Sequence, residues 1–378
     1  MIRYGRYFAL VLIILLIMLK LFPSLRTLRT NKYDDIIKEV SMNTENIKFM
    51  NDYQIEKHSV FTRDGYQLLL HRIPYGKTNS NLSKPTGVPV LIMHSWMCNS
   101  LSWIDNLEDS LGFVLADQLF DVWLGNVRGN EGSSHTSYGR NEAKFWDFSW
   151  EEIAEYDLPD TIDYIRNVTE YEKIVYIGLS LGSLMGFTLF SSQPEFNDKV
   201  AGFVALGPVT SLSYTTSLVM KILLNIQNTV TYLIETFQIS QIQIVPRSFN
   251  KLALKISAYI SITNSFAHTT RLPIYGRDCT ESTSTKTVLH FKQIKPPAYN
   301  LSNIRIPVAL FSSANDPIAT PIDVAITARK LRNVFANEIV PEPMFSHLNF
   351  IWSHPSKTIL YDKVVYLLKQ MWDANSAS

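Results

Sequence analysis

The sequence predicts an α/β fold: a mostly parallel sheet covered by helices on both faces, interrupted by one largely helical insertion. Three observations carry this. Short apolar, β-rich runs alternate with helical patterns along most of the chain. Several of those runs are apolar throughout rather than at every second residue, as strands buried on both faces must be. The alternation stops between about residue 210 and residue 300, where no clean strand is visible.

The elements follow in order. Arg3 and Arg6 precede the apolar run "YFALVLIILLIML", closed by Lys20. Positive charge ahead of a short apolar core is the layout of a secretory signal. The run passes into "KLFPSLRTLRT" with no small-x-small site, so residues 1–25 read as a signal peptide or an uncleaved signal anchor. "HSVFTRDGYQLLLHRIPY" predicts two strands around an Asp64-Gly65 turn, and the polar stretch 76–87 a loop. "VPVLIMH", "FDVWLGN", "KIVYIG", "VAGFVALG", "IPVALFSSA" and "NEIVPEP" are the successive strand candidates. "SWEEIAEYDLPDTIDYI" has helical spacing at Ile153, Tyr156, Ile162 and Ile165, and a last helix spans about 356–372. Core segments 41–209 and 301–372 thus flank a cap or lid at 210–300. Within that cap, Leu218, Ile222, Ile226, Leu233 and Phe237 form a broad helical stripe expected to pack on the core.

The bulk numbers fit. The 378 residues are 46% hydrophobic and 18% charged, with net charge +1 and no basic block, which argues against a nucleic-acid partner. No metal-spaced His/Cys cluster occurs, and no cofactor is implied. Sequons at Asn81, Asn167 and Asn300 agree with lumenal exposure. Of the two cysteines, Cys98 and Cys279, a single bridge is no better indicated than two free thiols.

The chemistry centres on "EKIVYIGLSLGSLMGF". An apolar strand ends in Gly-x-Ser-x-Gly and a helix begins at once. A sharp strand-to-helix turn lifts Ser180 above the sheet, and its crowding demands small residues at Gly178 and Gly182. A serine hydroxyl needs a base, and the base needs a carboxylate to hold its tautomer. In this layout the order is Ser, acid, His, on loops after later strands. Asp316 follows "IPVALFSSA" and His347 follows "NEIVPEP", so both stand where required. Asp323, inside a predicted helix, and His354, further into the tail, fit less well; Asp278, His268 and His290 fall in the insertion. Two backbone donors should hold the oxyanion, from Leu181 and from Trp96 in the loop after "VPVLIMH". His94 is expected to shape that loop.

Longer blocks carry a resemblance. "TRDGYQLLLHRIPYG", "NSLSWIDNLEDSLGFVLADQLFDVWLGNVRGN", "FWDFSWEEIAEYDLPDTIDYI", "PPAYNLSNIRIPVALFSSANDP" and "SHLNFIW" resemble the gastric and lysosomal acid lipases, a family of α/β hydrolases, from about residue 41 to 372. The resemblance implies an α/β-hydrolase fold with a cap. It implies hydrolysis of triacylglycerols or sterol esters at a lipid interface or membrane surface, in a secreted or lysosomal setting. It assigns Ser180 as nucleophile, Asp316 as acid and His347 as base, with Trp96 and Leu181 at the oxyanion positions and Asn167 and Asn300 near glycosylation positions. The chain also departs from the family. The family's His-Gly-Leu is His94-Ser95-Trp96, its His and Gln beside the nucleophile are Leu179 and Leu181, and its Asp two after the base is Asn349. The cap is shorter after "VLHFKQ" and lacks the family's cap cysteine pair. These changes keep open a lipid-binding or carrier protein with lost catalysis, or a thioesterase or acyltransferase, beside the ester hydrolase.

Overall fold

The computed structural model describes residues 53–77, 87–218, 220–221, 227–242, 271–290 and 299–376. The predicted signal or anchor and Asn81 lie outside them. Among the described residues no helix is long and apolar enough to cross a membrane.

Strands β1 (Glu56–Phe61) and β2 (Tyr66–Ile73) form the expected antiparallel hairpin, with Gly65 at φ +100° in its turn. Then come β3 (Val88–Met93), α1 (Leu111–Asp117), β4 (Phe120–Gly125), β5 (Ser134–His135), α2 (Leu158–Thr169), β6 (Ile174–Leu179), α3 (Leu181–Ser192) and β7 (Val200–Leu206). In the insertion lie α4 (Gln227–Phe237), β8 (Gln241–Ile242), α5 (Leu272–Asp278), β9 (Thr283–Ser284) and α6 (Thr285–His290). β10 (Val308–Ser312), α7 (Pro321–Lys330), β11 (Val334–Ile339) and α8 (Asp362–Asn375) complete the order. The main sheet runs β1-β2-β4-β3-β6-β7-β10-β11, with β5 on β2. From β4 to β11 every pairing is parallel. The short β8 and β9 pair apart from it.

Alternation sends each strand's residues to two cores. Leu91, Met93, Trp123 and Tyr176 join Leu158, Ile162 and Ile165 of α2 and Leu184 of α3 on one face. Val90, Ile92, Leu124 and Ile177 join Phe113 of α1 and Val364 and Leu368 of α8 on the other. Fully burying each such aliphatic side chain is worth about 1.5–3 kcal/mol, so the double coverage holds the sheet.

Some boundaries differ from expectation for physical reasons. The segment before α2 starts with a capping box, Ser149 with Glu152, but takes a wide π-type turn over Ile153–Asp157. Pro159 has no N–H to give the Glu155 carbonyl. That carbonyl is taken instead by the Arg63 guanidinium at 3.0 Å and the Gln193 amide at 3.2 Å. β11 begins before the predicted "NEIVPEP" and stops at Ile339, because Pro341 and Pro343 cannot continue a ladder. In the insertion, Met220 and Ile234 are buried, whereas Leu218 and Phe237 of the predicted stripe are exposed. At those two positions the stripe does not pack on the core; Ile222, Ile226 and the side chain of Leu233 lie outside what is described.

Candidate active site

The chain leaves β3 toward β4 and later places β6 on the other side of β3. Connections after β3 and β6 therefore diverge and open a crevice at their carboxyl ends. Ser180 follows β6 directly, and Ser95 and Trp96 follow β3, with Met93 and Gly178 paired in register.

Ser180 sits at φ +54° and ψ −107°, a conformation that costs a non-glycine residue about 1–3 kcal/mol and must be held by its surroundings. Its N–H donates to Leu206 O at 3.0 Å. Its carbonyl accepts from Leu184 N–H at 3.0 Å and from Ser183 Oγ at 2.6 Å. A Cβ on Gly178 would stand 2.4 Å from the Gly182 carbonyl carbon, and one on Gly182 would stand 2.5 Å from Met93 O. Backbone meets backbone at both places, which is why the serine needs a glycine two residues away on each side. Leu181 is the first residue of α3, so its N–H has no acceptor within the helix and the positive end of α3 adjoins the serine.

Asp316 and His347 come from the loops after β10 and β11. Ser313 Oγ, donating to Phe345 O at 2.8 Å, ties these loops together. Asp316 Oδ1 accepts the N–H groups of Ile318 and Ala319 at 2.8 and 2.9 Å, while Oδ2 meets His347 Nδ1 at 2.7 Å. Both side chains are buried. Asn349 Oδ1 accepts Ser346 N–H at 2.7 Å and so steadies the turn that bears the histidine. The ring stands over Gly207, where a Cβ would lie 3.1 Å from His347 Cε1. Gly207 follows Leu206, the residue that holds the Ser180 N–H. His347 Nε2 is buried and has no hydrogen-bond partner. The structure thus joins Asp316 to His347 and brings Ser180 to the adjoining strand end, without a hydrogen bond between serine and imidazole. In ligand-free sites such bonds are often long and tighten on substrate.

Trp96 lies in a turn closed by Cys98 N–H to Ser95 O at 3.1 Å, with Met97 at φ +60°. His94 is buried: Nδ1 lies 2.8 Å from Ser95 O and Nε2 lies 2.9 Å from Asn130 Oδ1. Burial pushes its imidazole below the ordinary histidine range, while the bonds to Ser95 and Asn130 pull upward. The insertion grips this turn. Glu281 N–H donates to Met97 O at 2.8 Å, and Asn99 N–H to Asp278 O at 2.9 Å. Cys98 and Cys279 form a disulfide across a separation of 181 residues, resolving the pairing left open by the sequence. Asn130 and Gly207 were not singled out from the sequence. Their signals are faint: an Asn in "NVRGN" and a glycine closing "VAGFVALG".

The rivals are placed elsewhere. Asp323 accepts from Tyr214 N–H and from the hydroxyl of the helix cap Thr320. His354 pairs with Asp109 at 3.0 Å, and Asp278 with Arg277. His290 packs against Trp150, and His268 lies outside the described residues. Asn167 and Asn300 are exposed.

Residues 88–353 match a family model described as "alpha/beta hydrolase fold", and residues 44–107 one described as "partial alpha/beta-hydrolase lipase region". The chain is 34% identical over 369 residues to a gastric triacylglycerol lipase of Bos taurus, covering 88% of this chain and 92% of that one. It is 32% identical to the human lysosomal acid lipase/cholesteryl ester hydrolase, also over 369 residues, at the same coverage. Among solved structures, a thermophilic esterase from Thermogutta terrifontis has TM-score 0.52 at 16% identity, over 84% of this chain and 99% of that one. The thioesterase domain from the curacin biosynthetic pathway also has TM-score 0.52, at 14% identity, over 84% of this chain and 99% of that one. Likenesses at that identity concern the fold alone.

Proposed function

The chain belongs to the acid lipase family of α/β hydrolases and is a lipase-type carboxylic ester hydrolase, and from that premise we propose that it cleaves neutral lipid esters through Ser180, His347 and Asp316. Ser180 Oγ attacks the ester carbonyl while His347 Nε2 takes its proton. Asp316 keeps the other ring proton on Nδ1 and stabilises the imidazolium that forms. The N–H groups of Leu181 and Trp96 hold the oxyanion. His347 then protonates the leaving alcohol, and water repeats the cycle on the acyl-enzyme. The observation that carries this reading is an imidazole with one nitrogen fixed by a carboxylate and the other buried and uncommitted.

The substrate class, triacylglycerol or sterol ester, follows the names of the relatives. The same names support a secreted or lysosomal setting. The exposed sequons and the disulfide agree with an oxidising compartment, and endoglycosidase-sensitive product is expected. The insertion at 210–300 acts as the cap over the site. A panel of esters of rising chain length, with Ser180→Ala as blank, tests the reading. Turnover that vanishes in the blank supports it; lipid binding without turnover by the unsubstituted chain would move the assignment to a carrier.

A further inference from the structure

Three buried histidines stand near this rim, and His94 differs from the others. His71 Nδ1 faces Ser100 Oγ at 2.8 Å, a hydroxyl that can turn to donate or accept, and its Nε2 faces no partner. A neutral ring serves it, in keeping with burial pushing it down to about 4. His347 has one carboxylate partner. Both ring nitrogens of His94, by contrast, face oxygen acceptors.

Neither acceptor can become a donor. Ser95 O is a backbone carbonyl. The Asn130 amide is oriented by two backbone groups: its Oδ1 accepts Val127 N–H at 2.8 Å, and its Nδ2 donates to Cys98 O at 2.8 Å. Turning the amide over would oppose donor to donor and acceptor to acceptor at both. A neutral imidazole has one N–H, so it satisfies one of its two oxygens and turns a lone pair toward the other. Only the imidazolium satisfies both.

The Ser95 carbonyl matters because it belongs to the same planar peptide as the Trp96 N–H, and the two point in opposite directions. Whatever holds that carbonyl inward aims that N–H outward. The Met93 and His94 carbonyls already lie against Gly182 in the first turn of α3, beside the serine.

We propose that His94 is a positioning residue for ester hydrolysis: as an imidazolium it donates to Ser95 O and Asn130 Oδ1 together, and this double donation aims the Trp96 N–H into the oxyanion site. The inference rests on the reading above that Trp96 supplies the second oxyanion donor. When the ring loses a proton, the Ser95 side yields, because Asn130 carries two further backbone bonds while Ser95 O keeps only the Cys98 N–H. The peptide is then free to turn, and the hole loses a donor. The hydrolase is therefore competent on the acid side of the His94 titration. Burial acts against the charge of the ring, and the bonds to the Ser95 carbonyl and the Asn130 side chain act for it. Charged groups on the same loops are Arg140, whose guanidinium donates to Asn130 O, and Glu281, which accepts from Asn99 Nδ2 and from Glu131 N–H. From α3, the backbone of Gly182 packs against the Met93 and His94 carbonyls. Burial disfavours the charged form, so protonating His94 lowers global stability as pH falls; what is gained is the set of the loop.

The test is 15N-histidine spectroscopy of the full chain from about pH 4 to about pH 8, the span in which histidines titrate, beside kcat and KM over the same range. His94→Gln assigns the signal by its disappearance. The expected result is a ring with both protons at the acid end, which loses one as kcat falls about 100-fold with KM little changed, the effect of one oxyanion donor. His94→Gln should itself lower kcat about 100-fold and abolish that limb of the profile. If that variant does not fold, Asn130→Asp, which sets a carboxylate against Nε2, should move the titration and the rate loss together to higher pH. A His94 neutral throughout, a titration without change in kcat, or a shift of one without the other overturns the proposal while leaving the hydrolase in place. No turnover at any pH and a Ser180 unreactive to fluorophosphonate would overturn both.

Discussion

The loop after β3 and the loop after β11 each bring a buried histidine to the same rim of the sheet. His94 has both nitrogens committed, to Ser95 O and Asn130 Oδ1. His347 has one, to Asp316, and its Nε2 has no partner. Burying an unpartnered polar atom costs about 1–3 kcal/mol, so folding alone would not favour it. What sets His347 apart, from His71 as well as from His94, is an open nitrogen on a ring held by a carboxylate; that suits the proposed base, whereas a ring with both nitrogens engaged suits a brace.

Substitutions can break this comparison, and they order by size. His347→Gln removes the open nitrogen. Steady-state kinetics should show kcat reduced by about 10⁴–10⁶, with the thermal midpoint little changed. A reduction of only about 100-fold would make His347 a brace like His94. Next in size is the anchor of the other loop. Cys98→Ser with Cys279→Ser unties the His94 turn from the insertion and should cost about 2–5 kcal/mol in denaturant unfolding, since the bridge closes a long loop. Unchanged stability would mean that the polar bonds from Asn99 and Glu281 suffice. Gly182→Ala strikes between the two loops, where its Cβ meets Met93 O at 2.5 Å. Overpacking should cost about 1–3 kcal/mol, read in the same unfolding assay, together with a fall in kcat. Asn349→Asp, the smallest, keeps the acceptor for Ser346 N–H and should leave kcat within a few-fold. A larger effect would assign Asn349's amide a part in setting the base.

Much of this was legible in the chain because it is local. Ser180 declares itself through glycines whose absent side chains are required within five residues. Asp316 and His347 follow from strand order alone. The strands of the parallel sheet show as unbroken apolar runs because both their faces are buried. What the chain hid depends on distant partners. Cys98 meets Cys279 only after the insertion folds back on the turn after β3. Asn130 looks like any loop asparagine until its amide is seen bridging His94, Val127 and Cys98. The insertion's buried face was misjudged at Leu218 and Phe237, because a broad apolar stripe leaves the direction of the core undetermined by spacing.

The central claim is that the imidazole at the end of β11 activates the hydroxyl at the end of β6. Fluorophosphonate labelling with peptide mapping, run on the unsubstituted chain and on folded His347→Ala, tests it most directly. The account expects an adduct on Ser180 that forms readily in the first and is nearly absent in the second. No adduct on Ser180 in folded protein, or equal labelling without the imidazole, would contradict it.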